Sequence, residues 1–201
     1  MASVVDICNL ALARLGDDAT VASVNPPEGS AQAEHCARFY PIARDSLLEL
    51  HDWKFATRRA PLALLTETAV PWAYAYAQPA QTIRIVSVLP PSAKSYAESE
   101  PYEMETANDG TVVLLTNVAN AVARYTVRVT DPTRFSPLFT DALATLLASY
   151  LAGPVIKGDA GKAEARAQLQ HFRLQLAAAK VSDANQRKVE TEHTPSWIAG
   201  R

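Results

Sequence analysis

The stretch SAQAEHCARFYPIARDSLLEL, residues 30–50, decides the fold class. Within it Ala33, Cys36, Tyr40, Ala43, Leu47 and Leu50 recur at alternating steps of three and four residues. That rhythm places all six on one stripe of an α-helix, as a helix-packing seam requires. Ser30 stands where a side-chain oxygen is needed to accept from the free N–H groups of the first turn. Pro41 lies inside the helix and lacks a backbone donor, which predicts a kink. The chain then meets HDWKFATRR, residues 51–59, where Trp53 and Phe55 alternate with charged and small residues. Alternation of that kind predicts extended chain.

On the N-terminal side, residues 4–15 read as a first helix. Ser3 is its N-cap, and Asp6 suits the positive helix end. Val4, Cys8, Ala11 and Leu15 share a stripe, and Gly16 follows where a left-handed residue ends a helix. A polar loop comes next, DDATVASVNPPEGS, in which Pro26-Pro27 bars helix.

On the C-terminal side the period changes. Between residues 60 and 130, prolines at 61, 71, 79, 90, 91 and 101 separate short β-like runs. TIRIVSVL (82–89) and VARYTVRVT (122–130) alternate apolar with polar residues. TVVLLT (111–116) follows Asn108-Asp109-Gly110, a turn signal, and residues 102–106 form a further short strand. Together they predict a small antiparallel sheet with one wet face. Helix returns at Ser136-Pro137, an N-cap followed by proline at the first helical position. Phe139, Leu143, Leu146, Leu147, Tyr150 and Leu151 form its apolar face, and Gly153-Pro154 is expected to end it.

A last helix is predicted over 159–187, capped by Asp159. Leu169, Phe172 and Leu176 lie on one side, and Leu174, Ala177 and Val181 on another. Two apolar sides imply two neighbours: the chain's own core and either a second subunit or a further internal element. Leu169, Phe172 and Leu176 are the candidate subunit interface. Beyond residue 187 the pattern dissolves into KVETEHTPSWIAGR, which holds one large aromatic, Trp197. Tryptophan is enriched at binding hot spots. Pro195, Ser196, Trp197, Ile198 and Arg201 are therefore candidate docking residues, the alternative being a tail folded back onto its own domain. The resulting fold class is α+β. A four-helix core (residues 1–59 and 131–188) carries an inserted antiparallel β lobe (60–130) and an extended C-terminal tail (189–201).

Composition narrows the function. A chain of 201 residues with 48% hydrophobic content suits one globular domain with an inserted lobe. Its 19 basic and 21 acidic side chains give a net charge of -2, which argues against wrapping DNA by phosphate neutralisation. Basic residues do not cluster along the chain; Arg58 and Arg59 stand side by side. Cys8 and Cys36 belong to no CxxC and fall in helical patterns, so buried free thiols are expected. The N-terminus has no basic n-region, and Asp6 interrupts its apolar run, so no signal peptide is expected. No stretch approaches the ~18 consecutive apolar residues of a membrane span. The reading is a chain made and kept in a cytoplasm, with no membrane contact.

Catalytic signals are scarce. There is no GxGxxG, and GPVIKGDAGKAEA fails as a phosphate loop on spacing and on its missing hydroxyl. His35, His51, His171 and His193 form no HExxH or HxH. No GxSxG elbow is present. The expectation is no enzyme, no cofactor and no metal. A helical regulator or nucleic-acid-binding module is the alternative class, although the loop between the first two helices is too long and proline-rich for a helix-turn-helix.

Four stretches carry a resemblance. They are DICNLALARLGDDATVASVNPPEGSAQAEHCARFYPIARDSLLELHDWKFATRRAPL, then WAYAYAQPAQTIRIVSV, then FSPLFTDALATLLASYLAGPVIKGD, and last the long helix with AAAKVSDANQRK and the ending SWIAGR. In order and spacing they resemble the tail tubular protein A family, the head-to-tail connector adaptors of short-tailed phages, with Trp53 and Phe55 in the W-x-F position. The likeness covers nearly the whole chain and departs most in the β lobe and tail. It implies a virion protein, assembled in the host cytoplasm, that forms a ring expected to be dodecameric. Its partners would be the portal protein, the tail nozzle protein and copies of itself. Genomic DNA would pass through its channel without sequence-specific binding. The resemblance implies no cofactor and no catalysis.

Overall fold

The computed structural model describes residues 2–66 and 70–186. Helix α1 (Val4–Arg14) opens with a capping box: the Ser3 hydroxyl accepts from Asp6 N–H, and the Asp6 carboxylate accepts from Ser3 N–H at 2.8 Å. Gly16 ends it at φ 71°, a conformation that glycine adopts without steric cost. The following loop is clamped to α1 by Asn9, whose side chain accepts from Val21 N–H (2.7 Å) and donates to Val21 C=O (2.9 Å).

Helix α2 (Ala31–Glu49) is capped by Ser30 and remains helical through Pro41, which sits on its exposed side. Ala33, Cys36, Tyr40, Ala43 and Leu47 of the predicted seam are all buried, and only Leu50 at its end is exposed. Helix α3 (Pro137–Ile156) is the centre of the helical layer, with α1, α2 and helix α4 (Gly158–Ala184) packed around it. By length and mean hydropathy α3 is apolar enough to cross a membrane, but most of it is buried among its neighbours. It is the core helix of this fold. Gly153-Pro154 does not end α3 as expected. Lys157 N–H still reaches Gly153 C=O at 3.0 Å. The helix stops where Lys157 and Gly158 both take positive φ, 65° and 59°. The reversal into α4 therefore begins at Gly158. Asp159 caps nothing and instead pairs with Lys162 at 2.9 Å.

The two long helices run very close. A Cβ placed on Gly161 would stand 2.8 Å from the Ala152 carbonyl oxygen, so only glycine fits this crossing. Farther along, Asp141 accepts from Arg14 and from Gln175 Nε2 (2.6 Å), and Gln175 also accepts from Thr145. This polar junction ties α1, α3 and α4 together.

The inserted region is not one sheet but two. Strands β1 (Thr57–Pro61), β6 (Val122–Val127) and β3 (Thr82–Leu89) form one antiparallel sheet in the order β1-β6-β3. Strands β2 (Tyr74–Ala77), β5 (Val112–Thr116) and β4 (Tyr102–Thr106) form the other, in the order β2-β5-β4. Tyr76, Ile85, Val88, Leu114 and Ala123 share a buried cluster drawn from both sheets. Tyr102 Oη donates across to Ile85 C=O at 3.1 Å. The two faces that a single sheet would leave wet are thus packed on each other. The expected turn at Asn108-Asp109-Gly110 joins β4 to β5, with Gly110 at φ 86°.

Candidate functional site

Aromatic side chains fix the exit from α2. Trp53 is fully buried, donates Nε1–H to Leu47 C=O at 2.8 Å and meets Phe139 edge-on at 5.0 Å. Phe55 meets the same ring at 4.9 Å and Phe135 at 5.6 Å. A short turn separates this anchor from β1, so the predicted extended chain begins at Thr57 and not at Trp53. The end of α4 is held to the same corner. Buried Asp183 accepts from Lys54 N–H at 3.0 Å and contacts His51 Nε2 at 3.2 Å. His51 in turn stands edge-on to Trp53 at 4.9 Å. This His–Asp pair is a clasp between α4 and the α2 exit.

Among the described residues, no three His, Cys, Asp or Glu side chains gather as metal ligands. Cys8 and Cys36 are free and buried. Contact with Cys36, together with burial, pushes the Cys8 thiol above its ordinary value, so it is held as an unreactive thiol.

The candidate interface residues on α4 divide. Phe172 is buried in the chain's own core, and Leu176 packs partly against it. Both are therefore committed to internal contacts, and Leu169 alone of the three is exposed. The unpartnered apolar positions lie on the other side of the helix, where Leu174 is 74% and Val181 62% exposed. The docking candidates Pro195, Ser196, Trp197, Ile198 and Arg201 lie outside the described residues.

One site was invisible along the chain. In the first sheet, Arg59 of β1 stands directly opposite Arg124 of β6. Like charges facing each other across a ladder are destabilising. Both guanidinium groups gather on the ring of Tyr96, in a 3-10 turn at Tyr96–Glu98, at 5.3 and 4.8 Å from its centroid. Lys54, Thr57, Arg58 and Gln186 complete an open cleft of about 610 Å³. Arg58 donates to the neutral carbonyls of Phe55 (3.3 Å) and Thr57 (2.8 Å). Among the described residues, Lys54, Arg58 and Arg59 form no ion pair. Arg124 reaches Asp52 only at 3.9 Å, and Asp52 is already engaged by Arg84. Four basic residues thus line the cleft, and among the described residues the long Arg124–Asp52 contact is the one ion pair they make.

No protein-family model matches this chain, and no curated protein sequence matches it.

Proposed function

We propose that this chain is a structural head-to-tail adaptor of a short-tailed phage. Copies of it form a ring, dodecameric in this reading, between the portal protein and the tail nozzle protein and around the DNA exit channel. The observation that carries the reading is the ordered set of four stretches that resemble the tail tubular protein A family. The first spans α1, α2 and the Trp53–Phe55 exit, the second holds β2 and most of β3, the third holds α3, and the fourth covers α4 and continues into a tail outside the described residues. Contact between two of these stretches supports it: Trp53 and Phe55 from the first pack on Phe139 from the third.

A closed ring of identical subunits needs two different faces on each copy, joined head to tail. The outer side of α4, with Leu174 and Val181 exposed, offers an apolar patch for one of them. The portal contact is assigned to residues 189–201, with Trp197 as its anchor. The protein would reside in the virion connector after assembly in the host cytoplasm.

The test is binding to immobilised portal protein. The full chain is expected to bind. A chain ending at residue 188 is expected to lose binding while keeping its far-ultraviolet circular dichroism. Trp197→Ala alone should lose at least about 2 kcal/mol of binding if it is a hot spot. Unchanged affinity of the truncated chain would overturn the docking assignment.

A further inference from the structure

From the cationic cleft we infer a binding site for phosphate groups, and most specifically for the phosphodiester backbone of a nucleic acid. The inference is separate from the adaptor reading, because it concerns one cleft on a single subunit. Its starting point is an energetic anomaly. Pairing Arg59 with Arg124 at the same register position brings like charges together at a cost to the sheet. Solvation of an edge strand by charged residues is a common way to block unwanted pairing. It would account for exposed Arg59 alone. It does not account for Arg124, whose side chain is only 14% exposed on the central strand. Nor does it account for the convergence of both guanidiniums on Tyr96.

The ring holds the two forks by cation–π contact, and among the described residues their N–H groups meet only the long Arg124–Asp52 contact. Lys54 and Arg58 also line the cleft, although neighbouring strand residues point to opposite faces and the Arg58 guanidinium is turned to the Phe55 and Thr57 carbonyls. Among the described residues, the carboxylates nearby are already engaged. Asp52 serves Arg84 and Arg124, Asp183 holds Lys54 N–H and His51, and Glu98 accepts from the N–H groups of Lys94 (3.0 Å) and Ser95 (2.9 Å).

Charge and geometry select the ligand. A carboxylate brings one charge and two coplanar oxygens, which a single arginine can satisfy. Basic residues from two strands and the α2 exit are better matched by tetrahedral groups with acceptors in several directions. Arginine forks suit phosphate in this way. A phosphodiester chain can present consecutive phosphates to Arg59, Arg124 and Lys54 together. The net charge of -2 confines the attraction to this cleft and makes the binding weak and salt-dependent.

The experiment is fluorescence anisotropy on the full chain at low salt, with a labelled 20-base single strand, the matching duplex, and inorganic pyrophosphate as competitor. DNA binding is expected, with log K falling against log salt at a slope of about -2 to -3, the mark of about three phosphate contacts. Arg59→Gln, at an exposed position that leaves the fold intact, should weaken binding several-fold and flatten the slope by about one contact. Arg59→Gln with Arg124→Gln should weaken it at least about tenfold, whereas Arg173→Gln on the exposed side of α4 should leave it unchanged. Circular dichroism of each variant separates lost binding from lost fold. Displacement of DNA by pyrophosphate supports a shared phosphate site. Pyrophosphate binding without DNA binding keeps the phosphate chemistry and assigns it to a small ligand. No binding of either probe, equal affinity for Arg59→Gln and Arg173→Gln, or preferential capture of an oligoglutamate peptide would overturn the inference.

Discussion

Replacing Trp53 with alanine should be the most damaging single change in the helical core. The side chain is fully buried, and its ring lies at the junction of α2, α3 and the α4 clasp. Buried aromatic side chains hide about 150–250 Å² each, which at about 25 cal/mol/Å² corresponds to roughly 4–6 kcal/mol. Partial relaxation brings typical tryptophan-to-alanine losses to about 3–5 kcal/mol. The indole hydrogen bond to Leu47 C=O contributes about 1 kcal/mol of that. Trp53→Ala should therefore lose about 4 kcal/mol, a large part of the roughly 5–15 kcal/mol that holds a domain folded. Trp53→Phe keeps most of the ring but not the donor, and should lose about 1–2 kcal/mol. The assay is urea unfolding followed by far-ultraviolet circular dichroism, comparing midpoints at unchanged slope. A double-mutant cycle with Phe139→Ala should give a coupling of about 1 kcal/mol, as edge-to-face rings do. A Trp53→Ala loss below about 1.5 kcal/mol, or no coupling to Phe139, would refute the claim that this ring pins the α2 exit to α3.

Other expectations are as direct. Gly161→Ala should destabilise by about 1–3 kcal/mol through contact with the Ala152 carbonyl, although alanine favours a helix interior by about 1 kcal/mol; thermal unfolding decides the sign, and a gain would mean that α3 and α4 part easily. Tyr40→Phe should be neutral or stabilising by up to about 1 kcal/mol, because the Tyr40 hydroxyl is buried without a partner. Burial pushes that hydroxyl up to about 12; with the folded value above the unfolded one of about 10, its contribution is present below pH ~10 and is lost as pH rises through the folded value. Alkaline unfolding of Tyr40→Phe should lack that component. At the other extreme, the Ser3 backbone N–H and then its hydroxyl hold Asp6 below the ordinary carboxylate value. That support is present above the unfolded value of about 3.9 and disappears as pH falls through the lower folded one. Asp6→Asn should flatten this part of the acid limb in urea titrations between about pH 5 and 2, and an unchanged limb would remove the capping box as a source of stability.

The helices were legible because their signals are local. Ser3, Ser30 and Ser136 cap where their spacing to the apolar stripes says they must, and the seam of α2 is buried from Ala33 to Leu47. Local signals mislead where tertiary contact outweighs local preference. Gly153-Pro154 carries the signature of a helix end, yet the reversal waits for two residues with positive φ. Strand β2, YAYA, holds too few alternating apolar residues to announce itself, and β1, TRRAP, is signalled only by the alternation that leads into it, so nothing along the chain divides the strands into two sheets. On α4 the periodicity correctly gave two apolar sides, but only packing decides which of them the core takes, and it took Phe172. The cationic cleft could not be seen at all. Arg59 and Arg124 are distant in sequence and meet only through the β1–β6 register, while Arg58-Arg59 was the only part of the cleft visible as neighbouring charges.

The adaptor reading is tested most directly by solution mass. Light scattering after gel filtration should be run on the full chain alone and on the chain mixed with portal protein. The account predicts a monomer alone and a portal complex heavier by about twelve copies, as closure of head-to-tail contacts on a template requires. A mixture in which portal and chain elute separately, each at its own mass, would contradict it.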